Sequence, residues 1–426
     1  MIGEIIAIGD ELISGRIANT TSSPAARKLF MHGQTIRRIH TIGDDPEQIT
    51  RVLNEAIARS EFILTTGGLG ITTDDLTIAA IAKALGLPLR PHPELVACLQ
   101  ARMAREPELL NGLPLDRMAL LPEGAEPLDP ECRMAGYRLC HQGVLIYLLP
   151  GIPSQMEQLL REQVLPGLRA ACGNRPAPPV MQRLYRTCGL FEHEINQRLA
   201  ALEQPPVQIG YYPVGAEVHV VLTMSGLENG AADSLFQATD VAIREALGEA
   251  LYGLDNETLA SVTGRLLSEQ GYMLGVAESC TAGLIGATIT EVPGSSRWFK
   301  GGLIVYANEA KERLLGIDPA LLARHGAVSA ETARAMAEQT ARRLGCDIAV
   351  AATGIAGPGG GSAEKPVGTV YLGLWDRGRL SHHLCRFDGG RRPIQEQTAQ
   401  TALNLVRLAL VRHTGHDPRR LHGSKQ

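Results

Sequence analysis

Phe62-Ile63-Leu64-Thr65-Thr66-Gly67-Gly68-Leu69-Gly70 decides the fold of the first part of this 426-residue chain. Five uncharged residues, mostly branched or aromatic, read as a short strand buried on both faces. The glycines that break it permit a tight turn and close approach of another backbone or a ligand. A helix from about Asp75 to Leu85 follows. The same alternation appears upstream. Ile2–Ile8 ends at Gly9-Asp10, and Thr35–Ile42 ends at Gly43-Asp44-Asp45. Pro46 then suits a first helical position, with Ile49, Val52, Leu53, Ala56 and Ile57 at helical spacing behind it. Val144–Leu149 is a further buried strand before Pro150-Gly151. Strands separated by helices, with no polar face, imply a mainly parallel α/β sheet over residues 1–170.

Beyond it, the proline-rich stretch 170–179 reads as a linker. Residues 175–250 make a small α+β module: a strand over 180–187, a helix near 192–202, and alternation from Glu217 to Leu222. Residues 255–413 return to α/β. Leu259, Val262, Leu266 and Leu267 mark a helix, and Tyr272–Ala277 a strand running into Glu278-Ser279-Cys280-Thr281-Ala282-Gly283. Leu303–Ala307 reads as a strand with a helix from Asn308, and Ser329 as the cap of the helix carrying Ala333, Met336 and Ala337. Asp347–Ala352 and Val367–Leu374 are strands, and 392–412 is the closing helix. Residues 414–426 read as a flexible tail. The expected fold is two doubly wound α/β domains joined by a small α+β module.

Composition narrows the function. Lys and Arg number 41 against 45 Asp and Glu, a net charge of −4, and aromatics are only 4%. That balance argues against coating nucleic acid by charge or by stacking. No apolar run approaches the roughly 18 residues of a membrane span, and no signal-like segment opens the chain, so a cytoplasmic enzyme is expected. Eight cysteines without a Cys-x-x-Cys pair read as small buried hydrophobes rather than a disulfide framework or zinc site. His193-Glu194 begins a zinc-type helix motif, but Gln197 stands where the second histidine is needed.

Two constellations carry chemistry. Asp10, Asp44, Asp45, Asp74 and Asp75 follow strands, where parallel sheets place ligands, and the amides of Gly67 to Gly70 can hold an anion. Singly, each Asp is as good a turn former or cap; Asp10 taken with Thr65–Asp75 reads as a phosphate and divalent-metal site. In the last domain Ser279 sits at a strand-to-helix junction, and Lys311 follows Tyr306 by five residues. A buried lysine can deprotonate serine. Spacing alone equally fits Ser279 as a cap and Lys311 as a solvated helix residue, and favours that reading.

Gly9-Asp10-Glu11-Leu12-Ile13-Ser14-Gly15-Arg16-Ile17, Thr65 to Gly70, Thr73-Asp74-Asp75-Leu76-Thr77 and Leu149-Pro150-Gly151-Ile152-Pro153 resemble the molybdopterin-binding-type domain of the competence/damage-inducible CinA family. The resemblance implies a nucleotide or phosphate site at Asp10, Gly67, Gly68, Gly70 and Thr73, with metal at Asp74 and Asp75. It also implies Mg or another divalent cation, with ADP-ribose (through a pyrophosphatase) or a pterin as ligand. The chain departs from the pattern at Ile71, at Leu115-Asp116-Arg117-Met118-Ala119, and at Glu131-Cys132-Arg133-Met134-Ala135-Gly136, where side chains replace a bare phosphate loop. The middle segment resembles the family's KH-like module.

Ala277 to Leu284, Pro293-Gly294-Ser295-Ser296 with Trp298-Phe299, Tyr306 to Lys311, His325-Gly326-Ala327-Val328-Ser329, Thr353 to Pro358 and Lys365 to Val370 resemble the CinA C-terminal domain. That resemblance implies hydrolysis of nicotinamide mononucleotide to nicotinate mononucleotide and ammonia, without a cofactor. It implies Ser279 as nucleophile, Lys311 as base, Tyr306 as proton relay and Thr353 as support for the oxyanion. Cys280, Thr281, Gly283, Asn308, Gly354, Ile355, Ala356 and Gly357 would contact substrate, and Arg391 its phosphate. A second arginine of the pattern is Gln395 here, which implies either weaker phosphate binding or substitution by Arg392. A homodimer is expected. The rival expectation is a non-catalytic competence or DNA-damage accessory protein.

Overall fold

The computed structural model describes residues 1–70, 72, 75–106, 108, 112–173, 180–226 and 231–414. They fall into two compact units, the first carried by Met1–Met181 and the second by residues from Gln182 onward.

The first unit is built on a six-stranded sheet. Its strands are β1 (Ile2–Ile8), β2 (Thr35–Ile42), β3 (Phe62–Thr66), β6 (Glu126–Pro127), β7 (Tyr137–His141) and β8 (Val144–Leu149), in the order β2-β1-β3-β8-β7-β6. The first four are mutually parallel, and β7 and β6 add an antiparallel edge. A separate antiparallel ribbon pairs β4 (Leu89–Pro91) with β5 (Leu120–Pro122). Alternate strand residues serve two cores: Ile6, Ile8 and Ile63 in one, Ile5, Phe62 and Leu64 in the other. That double burial is why β1 and β3 are largely apolar, with Glu4 of β1 the buried exception, paired with Arg59 and His40. Asp45 caps the helix Pro46–Ile57 by accepting from the Glu47 amide at 3.0 Å.

Within the second unit, β9 (Met181–Cys188), β10 (Val207–Val214), β11 (Glu217–Met224) and β12 (Leu251–Leu254) form a sheet in the order β10-β11-β9-β12. A five-stranded sheet runs β14-β13-β15-β16-β17, from β13 (Leu274–Glu278), β14 (Phe299–Ile304), β15 (Ile348–Gly354), β16 (Thr369–Asp376) and β17 (Arg379–Arg386). β13 pairs in parallel with β14 and β15, and β16 and β17 are antiparallel. One face packs on the helices Leu259–Gln270, Leu284–Thr290 and Arg391–Thr414, and the other on Ala330–Leu344, capped by Ser329 as its sequence implies.

The smaller sheet shares a core with the larger: Cys188 and Tyr252 lie in one cluster with Leu259, Ala399 and Leu403. Gln400 accepts from the Ala216 amide at 3.0 Å, and buried Arg407 donates to the Glu249 carbonyl at 2.7 Å. Two readings are corrected here. Cys98 and Cys132 are joined as a disulfide, and Cys140 is exposed, so the cysteines are not uniformly buried thiols. The strand placed at Leu303–Ala307 is Phe299–Ile304.

Candidate active site

Ser279 is the first residue beyond β13, at the edge of the sheet where the parallel strands end. Its amide donates to the Ala352 carbonyl of β15 at 3.0 Å, which fixes the turn to the sheet. Ala282 and Gly283 both have positive φ, 51° and 102°, and turn the chain into the helix Leu284–Thr290. The first amides of that helix are not open to a ligand. The buried Glu278 carboxylate accepts from Gly283 at 2.9 Å, Ile285 at 3.1 Å and Gly286 at 2.8 Å, capping the helix from the preceding strand. The Cys280 and Thr281 amides donate to no carbonyl among the described turns.

Lys311 comes from a wide helical turn, Lys311–Leu315, that buries Lys311 and Leu315 together. It is 1% exposed. Its Nζ lies 3.0 Å from Ser279 Oγ, 3.0 Å from the Val305 carbonyl and 3.0 Å from the Tyr306 carbonyl. Burial pushes the ammonium below its ordinary value, and only the nearby Cys280 opposes this. A neutral amine has two N–H groups and one lone pair. Two carbonyls take the N–H groups, leaving the lone pair for the Ser279 O–H, so the three contacts fit a base.

The cavity above the pair, about 210 Å³, is lined by Ser279, Cys280, Tyr306, Lys311, Ala327, Val328, Thr353, Gly354, Ala356 and Arg391. Thr353 donates its hydroxyl to the Ala327 carbonyl at 2.7 Å, and Lys365 donates to the Val328 carbonyl at 2.7 Å. These bonds hold the 326–329 loop as one wall. At the mouth, Arg391 donates to the Gly357 carbonyl and to the Tyr306 hydroxyl, both at 2.8 Å. Gln395, one turn along the same helix, donates to the Cys280 carbonyl at 2.7 Å and ties the Ser279 turn to that helix.

The first unit has its own cavity, about 620 Å³, lined by Gly67, Gly68, Gly70, Asp44, Asp75, Glu11 and the Pro150–Pro153 corner, among others. Gly67 is obligatory: at φ 102°, an added Cβ would lie 2.1 Å from the Ile8 carbonyl oxygen. Asp10 does not line this cavity. It accepts from the Asp44 amide at 3.1 Å while its own amide donates to Asp44 at 2.9 Å, a brace between the ends of β1 and β2. Asp75 accepts from the amide and hydroxyl of Thr72. Thr73 and Asp74 lie outside the described residues. Among those described, no three His, Cys, Asp or Glu side chains form a metal cluster, and no lysine or arginine lines the cavity.

Comparison with known proteins agrees along the whole length. Residues 256–410 match the family model "CinA C-terminal domain", 4–170 match "Probable molybdopterin binding domain", and 182–253 match "Damage-inducible protein CinA KH domain". A "CinA-like protein" of Desulfotalea psychrophila is 44% identical over 409 residues, covering 96% of this chain and 98% of that protein. The chain belongs to the CinA family. A second CinA-like protein, from Geobacter sp. strain M21, is 41% identical over 412 residues, covering 96% of this chain and 97% of its own length. A crystal structure titled as the competence/damage inducible protein CihA from Agrobacterium tumefaciens is 44% identical. It covers 36% of this chain and 94% of its own, with a TM-score of 0.34.

Of the residues that the CinA resemblance implies for the amidase site, Ser279, Cys280, Tyr306, Lys311, Thr353, Gly354, Ala356 and Arg391 meet around one cavity. Gly357 stands behind them, holding Arg391 by its carbonyl. Asn308 is exposed and outside the lining; Gly283 and Ile355 are half-buried and also outside it, with amides that donate to Glu278 and the Thr369 carbonyl. Thr281 is buried with an unpartnered hydroxyl. The Tyr306 hydroxyl, expected to relay the proton, accepts from Arg391, and the Tyr306 backbone carbonyl accepts from Lys311. Arg392, expected as one substitute for the missing arginine, pairs with Glu396 at 2.6 Å on its own helix. Sequence reading missed Glu278 and Gln395 as positioning groups. An acid directly before a strand-to-helix turn of small residues was the available signal for the first.

Proposed function

We propose that the second unit hydrolyses the carboxamide of nicotinamide mononucleotide, giving nicotinate mononucleotide and ammonia. The observation that carries this reading is the buried Lys311, without an acidic partner among the described residues, 3.0 Å from Ser279 Oγ in a cavity whose mouth holds Arg391. Lys311 takes the serine proton as Oγ adds to the amide carbon. The tetrahedral oxyanion is received by the Cys280 and Thr281 amides. Protonated Lys311 keeps its two carbonyl partners and gives the third proton to the departing nitrogen, so the C–N bond breaks with release of ammonia. Water, deprotonated by the same lysine, then cleaves the acyl-serine ester, and the proton returns to Ser279. Arg391, at the start of a 24-residue helix, offers a guanidinium to the substrate phosphate.

Ammonia release from the mononucleotide by the full chain, beside Ser279→Ala, tests the assignment. Release by the wild type alone supports it. No release from a folded wild type favours the rival reading suggested by the family's competence and damage names, a nucleotide-binding accessory protein. For the first unit we infer a ligand of nucleotide or pterin size, supported by the 620 Å³ cavity and the glycine turn on its wall. The divalent cation expected there finds no cluster of three donors among the described residues, and no hydrolytic step is assigned to this unit.

A further inference from the structure

Arg391 and Lys311 are the two cationic side chains lining the Ser279 cavity, and they stand in opposite situations. Lys311 is buried at its floor; Arg391 is exposed at its mouth. No carboxylate pairs with Arg391 among the described residues. Its guanidinium is stretched instead between two neutral acceptors on different walls: the Gly357 carbonyl after β15 and the Tyr306 hydroxyl after β14. Tyr306 is 57% exposed and, like Arg391, lines the cavity, so this bond lies at its solvent end. A guanidinium prefers a doubly charged oxyanion to a phenol, because charge-assisted, bidentate hydrogen bonds are the stronger ones. The other helix start near Ser279 cannot compete for that anion, since Glu278 fills it.

We propose that the Arg391–Tyr306 hydrogen bond is a latch over the nucleophile that the substrate's own phosphate opens. Resting on the amidase reading above, this makes Tyr306 a specificity-determining residue. Phosphate draws Arg391 away from the phenol, Tyr306 is released, and the amide gains access to Ser279. The phosphate is then read in kcat as well as in KM, because its binding energy is used to rearrange the site rather than only to hold substrate. An amide lacking the phosphate meets a closed mouth. A free oxyanion of the same charge, supplied separately, opens the latch for it.

The test uses the full chain with nicotinamide riboside, the same amide without its phosphate, in the presence and absence of phosphite dianion. Nicotinamide mononucleotide runs in parallel. Phosphite raises kcat for the riboside by roughly 10- to 100-fold, the range expected for hydrogen bonds to a charged group. Tyr306→Phe keeps the backbone carbonyl that Lys311 uses and removes only the latch. It raises riboside turnover without phosphite and reduces the phosphite effect to less than about threefold. Arg391→Ala abolishes activation. A wild type that hydrolyses the mononucleotide but ignores phosphite overturns the latch and leaves the amidase reading standing. So does a Tyr306→Phe variant that keeps the full phosphite effect. A wild type inert on the mononucleotide overturns both.

Discussion

Replacing Lys311 with methionine separates the cost of a buried base from its use. In the native chain Lys311 is 1% exposed, without an acidic partner among the described residues, and burial holds it below the ordinary lysine value of about 10.4. In the unfolded chain it titrates near that value. Between the two pKa values the unfolded state binds more protons, so the wild type gains stability as pH rises through the window. Below the native value the cost stays constant. Each unit of depression corresponds to about 1.4 kcal/mol. Lys311→Met removes the proton linkage but strands the Val305 and Tyr306 carbonyls, at about 1 kcal/mol each where water cannot reach them. The net effect at one pH is therefore a difference of similar quantities, whereas its pH dependence has a single source. Both tryptophans, Trp298 and Trp375, lie in the second unit, so fluorescence-detected unfolding reports on that unit. As pH rises from the depressed native value toward the ordinary lysine value the wild type gains stability on the variant, while ammonia release by the variant falls about 10²- to 10⁴-fold. Parallel stability curves, or a variant that keeps its turnover, refute a neutral Lys311 acting as the base.

Other perturbations test the surroundings. Glu278→Gln replaces a carboxylate that three amides share by one carbonyl oxygen and a clashing NH₂; about 2 kcal/mol of stability and a 10-fold or larger share of kcat are lost, with KM little changed, in steady-state ammonia assays. Burial pushes the Glu4 carboxyl up, but hydrogen bonds from Arg59 and His40 hold it below its ordinary value. Its stabilisation is present above about pH 4.3 and is lost as pH falls through the native value, so Arg59→Ala moves the acid unfolding midpoint of the first unit upward, read by circular dichroism. Gly67→Ala places a methyl against the Ile8 carbonyl at a disallowed φ and costs about 2 kcal/mol or more, measured by hydrogen exchange of the Phe62–Thr66 amides. Burial pushes the Cys280 thiol up to about 12, so it resists iodoacetamide at pH 8 while exposed Cys140 is alkylated, as peptide mass mapping will show.

Burial on both faces makes a strand easy to read, although Thr35–Ile42, mostly exposed, is equally legible. Ile2–Ile8, Phe62–Thr66 and Val144–Leu149 were placed to the residue because an apolar run bounded by Gly or Pro has few alternatives. β14 was misplaced because Gly301-Gly302 inside it resembles a turn, while in the sheet Gly301 sits at φ 141° beside a register shift. The Ser279–Lys311 contact spans 32 residues, and no periodicity marks it. Only the resemblance to a known domain joined the two. The contact of the Tyr306 carbonyl with Lys311 is illegible for a different reason: every residue type carries a carbonyl, and no sequence pattern distinguishes one that a buried lysine will use.

The charges of the second unit's site are sorted by depth, and each position constrains the next. A neutral lysine at the floor tolerates no anion beside it, because a nearby negative charge would favour its protonated form. A free helix start directly after Ser279 would invite such an anion to the floor. Glu278 closes that start with its own carboxylate, spending the negative charge on three amides. The remaining place for an anionic substrate group is the mouth, where Arg391 begins the long helix and Gln395 of the same helix grips the Cys280 carbonyl. On the proposed reading, a phosphate bound there and Ser279 held from there share one helix. Any shift of that helix on binding therefore moves the turn that carries Ser279. The same helix reaches Ala216 through Gln400 and Glu249 through Arg407, so the small antiparallel module is anchored to the element that connects substrate charge to nucleophile.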